Sequence, residues 1–122
     1  MIGYVTLGTN DLKRASEFYD AICGELGVGR MMEYETFIAW GKPGGGAGIG
    51  LTKPFDGNAA TVGNGVMVAL QCKDRAQVDR LYSLARSLGA ADEGAPGERM
   101  EGFYAGYFRD PDGNKLNAFI MG

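Results

Sequence analysis

Gly102–Phe108 (GFYAGYF) and Lys115–Met121 (KLNAFIM), joined through Asp110-Pro111-Asp112-Gly113, decide the fold. Both flanks are rich in aromatic and β-favouring residues. In the connection, Pro111 presets one turn angle and Gly113 supplies the positive φ that another requires, which predicts an antiparallel hairpin. Strand alternation divides the last segment cleanly: Leu116, Ala118 and Ile120 on one side, Lys115, Asn117 and Phe119 on the other. The three aliphatics belong beneath a helix.

That helix lies upstream. Asp74 is placed to cap it, Val78, Leu81, Tyr82, Ala85 and Leu88 recur at helical spacing, and Gly89 fits the left-handed position that ends it. A strand precedes it at Asn64–Gln71 (NGVMVALQ), and the looser stretch Ala90–Glu101 is expected to hold one short strand. The first half runs through the same order. Ile2–Gly8 (IGYVTLG) reads as a strand, and Asn10 as an N-cap followed by the dipole-favoured Asp11. Leu12, Ala15, Phe18 or Tyr19, Ile22 and Leu26 line one helix face that Gly27 closes. Three short strands are predicted next, at Val28–Tyr34, Thr36–Trp40 and Ala47–Thr52, with the turn Lys42-Pro43-Gly44-Gly45-Gly46 between the last two.

The pattern is strand-helix-strand-strand-strand written twice, with the helix-ending triplets Glu25-Leu26-Gly27 and Ser87-Leu88-Gly89 set 62 residues apart. The expected class is α+β: one domain over 1–122 made of two βαβββ modules, about 1–52 and 64–122, with 53–63 as connection. Each module leaves a half-covered sheet and needs a partner surface. The alternative is an unrelated α+β arrangement of the same elements.

Composition excludes several function classes. The net charge of −3, with twelve Lys and Arg dispersed among fifteen acids, provides no basic stripe for nucleic acid. No apolar run approaches the ~20 residues that span a bilayer. The strand-like start without a charged leader, and two cysteines (Cys23, Cys72) lacking a framework spacing, predict a cytoplasmic protein with reduced thiols and no membrane partner. Histidine is absent. That removes Ser-His-Asp and Cys-His catalysis, the two-His-one-carboxylate iron site and every His-bearing zinc site.

Three segments resemble the glyoxalase/bleomycin-resistance/extradiol-dioxygenase (vicinal oxygen chelate) superfamily. They are Tyr4-Val5-Thr6-Leu7-Gly8 with Asp11-Leu12 and Ser16-Glu17-Phe18-Tyr19, then Gly63-Asn64-Gly65-Val66-Met67-Val68-Ala69, and finally Phe108-Arg109-Asp110-Pro111-Asp112-Gly113-Asn114-Lys115-Leu116. The resemblance implies a cupped mixed sheet around a cleft, commonly in a homodimer. It also implies metal ligands at inward strand positions, and there this chain departs: Tyr4 and Met67 stand where histidine is common, Asn117 stands where glutamate is common, and no acid occurs in Ala47–Thr52. A protonated phenol, a thioether and a neutral amide are poor ligands for a divalent metal, so neither a metal nor another cofactor is expected.

With Tyr4, Met67 and Asn117 facing the cleft as the resemblance implies, alternation adds Thr6, Ala69, Lys115 and Phe119, and the resemblance itself places Phe103 and Tyr107 inward on the preceding strand. Such a cavity, apolar and aromatic with a few polar points, suits a small, partly apolar molecule. Trp40 reads as core or cleft wall, Cys72 as a small buried residue, and Arg109 as a charge flanking the turn. The leading expectation is a metal-free binding or sequestering protein. The alternatives are a metal-independent lyase or isomerase using Tyr or Lys for proton transfer, a residual lactoylglutathione-lyase-like activity, and a protein-interaction module with a vestigial cleft.

Overall fold

A computed structural model describes all residues, Met1–Gly122. The chain divides into two compact units, Met1–Val62 and Gly63–Gly122. In the first, strand β1 (Tyr4–Gly8) precedes helix α1 (Leu12–Glu25) and strands β2 (Gly29–Glu33), β3 (Phe37–Gly41) and β4 (Gly48–Thr52). In the second, β5 (Val68–Gln71) precedes α2 (Arg75–Ser87), β6 (Ala91–Met100), β7 (Phe103–Arg109) and β8 (Lys115–Met121). Each unit forms a four-stranded mixed sheet, ordered β1-β4-β3-β2 in one and β5-β8-β7-β6 in the other. The first and last strands of each unit pair in parallel and the others antiparallel. The fold is thus two βαβββ modules with the same strand order.

Helix α1 forms because Leu12, Ala15, Phe18, Tyr19, Ile22 and Cys23 share its buried face. Beneath it lie Leu7, Ile38, Trp40, Ile49 and Leu51, all buried. Full burial of a side chain the size of Ile22 or Leu51 contributes about 2 kcal/mol each. Trp40 is core, 1% exposed, with its ring 5.8 Å from that of Tyr19 and its Nε1 donating to Asp20 at 2.9 Å. In the second module, Val78, Leu81 and Ala85 of α2 pack over Phe108, Leu116 and Ala118, all completely buried. Gly27 (φ 74°) and Gly89 (φ 96°) follow the two helices in the left-handed region that a Cβ disfavours, as their positions predict.

Three local expectations are corrected. The first helix is capped by Asp11, whose carboxylate accepts from Arg14 N at 3.1 Å. Asn10 is otherwise engaged: its Oδ1 accepts from Ala60 N at 2.7 Å and its Nδ2 donates to Ala60 O at 3.3 Å, tying the end of the connecting segment to the module. The strand foreseen over Asn64–Gln71 begins only at Val68, because Gly63–Val66 closes a turn first. The loose stretch Ala90–Glu101 is instead the ten-residue strand β6, whose register shifts three times against β7. Its glycines and Pro96 mark irregular pairing, not the absence of a strand. Asp110, in the predicted turn, also anchors it through its side chain. It is 3% exposed, and its Oδ1 accepts from Asp112 N and Asn114 N, each at 2.9 Å, while its Oδ2 accepts from Asn114 Nδ2 at 3.0 Å.

Candidate functional site

Each sheet has one face under its helix and one face without a helix. In the second module the sides are fixed by Tyr104, whose hydroxyl donates to Asp79 of α2 at 2.6 Å, and by Phe108, whose ring meets Tyr82 of α2. Even-numbered positions of β7 therefore face the helix, and Phe103, Ala105 and Tyr107 face away. Register carries this across the sheet: Tyr107 pairs with Asn117, Ala105 with Phe119, and Ala69 with Asn117. Ala69, Phe103, Tyr107, Lys115, Asn117 and Phe119 thus share the helix-free face. Met67 precedes β5, outside the ladder, and is 41% exposed.

The arrangement on this face has three parts. Phe103 and Phe119 stack with centroids 5.8 Å apart and planes inclined by 23°. Tyr107 is flanked by cations, with the Arg99 guanidinium 5.4 Å and Lys115 Nζ 5.6 Å from its ring centroid. Between these groups Asn117 is 1% exposed, and its Oδ1 accepts no hydrogen bond. A buried, unsatisfied carbonyl costs roughly 1–3 kcal/mol. Such a cost calls for an explanation, and a donor supplied by a ligand is one.

Arg99 and Glu93 are members of this site that sequence reasoning missed. Glu93 Oε1 lies 3.9 Å from Lys115 Nζ, and its Oε2 lies 3.5 Å from Arg109 Nε. Arg99 crosses the strand over glycines: a Cβ on Gly97 would stand 2.8 Å from its Nη1, and one on Gly94 3.2 Å from its Nη2. The available signal was the Gly-x-x-Gly spacing just before an arginine, in a stretch whose irregular pairing hid the face on which that arginine would fall.

In the first module Trp40 and its neighbours on β4 face α1, and register leaves Tyr4, Thr6, Phe37 and Ala39 on the helix-free side. Tyr4 and Phe37 meet edge to face at 6.4 Å. With Met31, Met32, Ala39 and Gly48 they line an apolar depression of about 150 Å³. The Phe37 ring lies against the backbone of Gly50, where an added Cβ would stand 2.7 Å from it. A larger recess, about 640 Å³, lies at the N-terminal end of α1. It is lined by the exposed Asp11, Glu17 and Glu35 against Lys13, Arg30 and Lys53, a charge-balanced set.

The metal implied by the resemblance does not fit these residues. Tyr4, Met67 and Asn117 offer a phenol, a thioether and an amide, and nowhere do three or more His, Cys, Asp or Glu side chains gather as a ligand set. Nor do the cysteines supply a reactive thiolate site. Both are free and buried, and burial pushes the Cys23 thiol up to about 12, with the Asp20 charge adding to the shift.

Comparison with known proteins agrees with this architecture. The family model described as Glyoxalase/Bleomycin resistance protein/Dioxygenase superfamily matches residues 1–118. A crystal structure of a glyoxalase/bleomycin resistance protein from Albidiferax ferrireducens is 34% identical with a TM-score of 0.90, covering 98% of this chain and 97% of its own. A glyoxalase/bleomycin resistance protein/dioxygenase family enzyme from Burkholderia phytofirmans shares the fold at 21% identity and a TM-score of 0.77, covering 96% and 95%. Lactoylglutathione lyase from Agrobacterium tumefaciens does so at 20% identity and 0.71, covering 98% and 92%. No curated protein matches in sequence. With its two βαβββ modules and a family match over nearly its whole length, the chain belongs to the glyoxalase/bleomycin resistance protein/dioxygenase superfamily.

Proposed function

We propose that this protein binds and sequesters a small, partly apolar molecule on the helix-free faces of its sheets, without a metal, as a cytoplasmic homodimer. The observation that carries the reading is Asn117, a buried carbonyl without a donor, set among the partly exposed Phe103, Tyr107 and Phe119. Apolar walls with a few fixed polar groups are the usual build of a small-molecule site. Met67, Ala69 and Lys115 complete the proposed lining on the second module, and Tyr4 and Thr6 belong to the helix-free face of the first. The homodimer is supported by the side chains Tyr4, Met31 and Met32, which leave an apolar patch exposed on the first module. Lyase or isomerase chemistry through a metal gains no support from the donors present.

Two measurements test the reading. Mass spectrometry of gently purified protein should reveal a non-covalent small-molecule adduct released on denaturation. Amide shifts on rebinding that compound should then fall on β5, β7 and β8 or on β1, β3 and β4. Shifts confined to the helices, or no adduct together with no response to a library of small apolar compounds, would overturn it.

A further inference from the structure

We infer that the ligand of the second module is a small carboxylate carrying, in order, its acid group, a hydrogen-bond donor and an aromatic ring. The inference rests on the proposed reading of that face as a binding site and gives the ligand its chemistry.

The order follows from β8. Lys115, Asn117 and Phe119 stand in line on one face, and alternate residues of a strand are about 7 Å apart. They place in succession an ammonium, a carbonyl that is buried and unsatisfied, and a stacked ring. The charge at one end is cationic although the chain as a whole is acidic. Arg99, Lys115 and Arg109 collect around Tyr107 and Glu93, and Glu93 is the single carboxylate that meets them, through Lys115 and Arg109. Arg99 has no carboxylate partner; its Nη2 donates to Ala95 O at 2.5 Å. Its guanidinium lies over Gly94 and Gly97, close to the Tyr107 ring, and retains further N–H donors for an anion.

Asn117 sets the middle of the ligand. A carbonyl accepts and does not donate, so the group that satisfies it must carry an N–H or O–H. Phe103 and Phe119 set the far end, where their paired rings offer a surface to a third. An aroylated amino acid has these features in this order.

Hippurate is the probe, with its neutral amide and its N-methyl analogue as controls lacking the charge and the donor. Titrations followed by amide shifts should show hippurate binding at least tenfold tighter than either control, with shifts on β7 and β8. Arg99→Met and Lys115→Met should each erase most of the preference over the neutral amide, and Asn117→Ala the preference over the N-methyl analogue. Arg75→Met removes the same charge from a residue paired with Glu98 and should leave both preferences intact. Thermal unfolding of each variant verifies that it is folded; Arg99 and Arg75 are exposed, so those two substitutions test charge without disturbing the core. Equal affinity for all three probes, with shifts at Phe103 and Phe119, would overturn the anion inference while leaving the binding face standing. A preference that survives both cation substitutions would overturn it too. Absence of any shift on β7 and β8 would remove both.

Discussion

Asp110 shows how much one side chain can hold. Its carboxylate is buried and closes the β7–β8 turn through three accepted hydrogen bonds, from Asp112 N, Asn114 N and Asn114 Nδ2. Asp110→Ala leaves those donors unmatched and should cost on the order of 2–3 kcal/mol in denaturant unfolding. Asp56→Ala, which removes a similar but exposed turn contact to Asn58 N, should cost well under 1 kcal/mol. Asp20 gives a pH dependence. Hydrogen bonds from Arg30, aided by Trp40 Nε1, hold its carboxyl below the usual range. A depressed carboxyl stabilises the fold above its unfolded pKa of ~3.9, and that contribution fades as pH falls through the folded value. Its side chain is 45% exposed, so solvent screening limits the effect to at most about 1 kcal/mol. Asp20→Asn should therefore be less stable than the parent at pH 7 and equal to it in strong acid; a gap that widens in acid would refute the assignment. Cys23, with its thiol pushed up to about 12, should resist iodoacetamide in the native protein and react promptly in denaturant.

At the scale of elements, Gly50 in β4 leaves room for the Phe37 ring, which lines the first module's depression. Gly50→Val would drive a side chain into the Phe37 ring, 2.7 Å from the new Cβ. The expected result is a shifted Phe37 ring seen by NMR, loss of apolar-probe binding on that face, and destabilisation of about 1–3 kcal/mol. Most of the elements were legible in the sequence because their signals were local. Helix periodicity, the glycines at 27 and 89, and the alternation in KLNAFIM each point one way, and Phe108, Leu116 and Ala118 are indeed buried beneath α2. The family resemblance put Tyr107 and Asn117 on one face, and the register pairs them directly. What sequence could not supply was non-local. Asn10 surrendered its capping role to hold Ala60, a partner 50 residues away. The strand β6 hid behind its bulges, and with it Arg99, whose side is set by where those bulges fall. The unsatisfied state of Asn117 Oδ1 is likewise a property of packing that no residue pattern encodes.

For the whole molecule, the proposed dimer predicts a light-scattering mass of twice the 13.0 kDa chain across micromolar concentrations, and a value of one chain mass throughout would refute it. Elemental analysis should find no stoichiometric zinc, nickel, manganese or iron. About one such ion per chain, removed by chelator with loss of an activity, would refute the metal-free reading. No helix is long and apolar enough to cross a membrane.

The parallel pairing of first and last strands also governs the order of assembly during synthesis. Tyr4 lies beside Gly48, and Val68 beside Leu116, so each sheet is completed only by its last strand. Contacts so distant along the chain form slowly, after nearby hairpins such as β7–β8. A nascent chain halted before β4 clears the ribosome would therefore hold β1 as an unmatched edge. Once β4 has emerged, the first module can close while the second is still being translated.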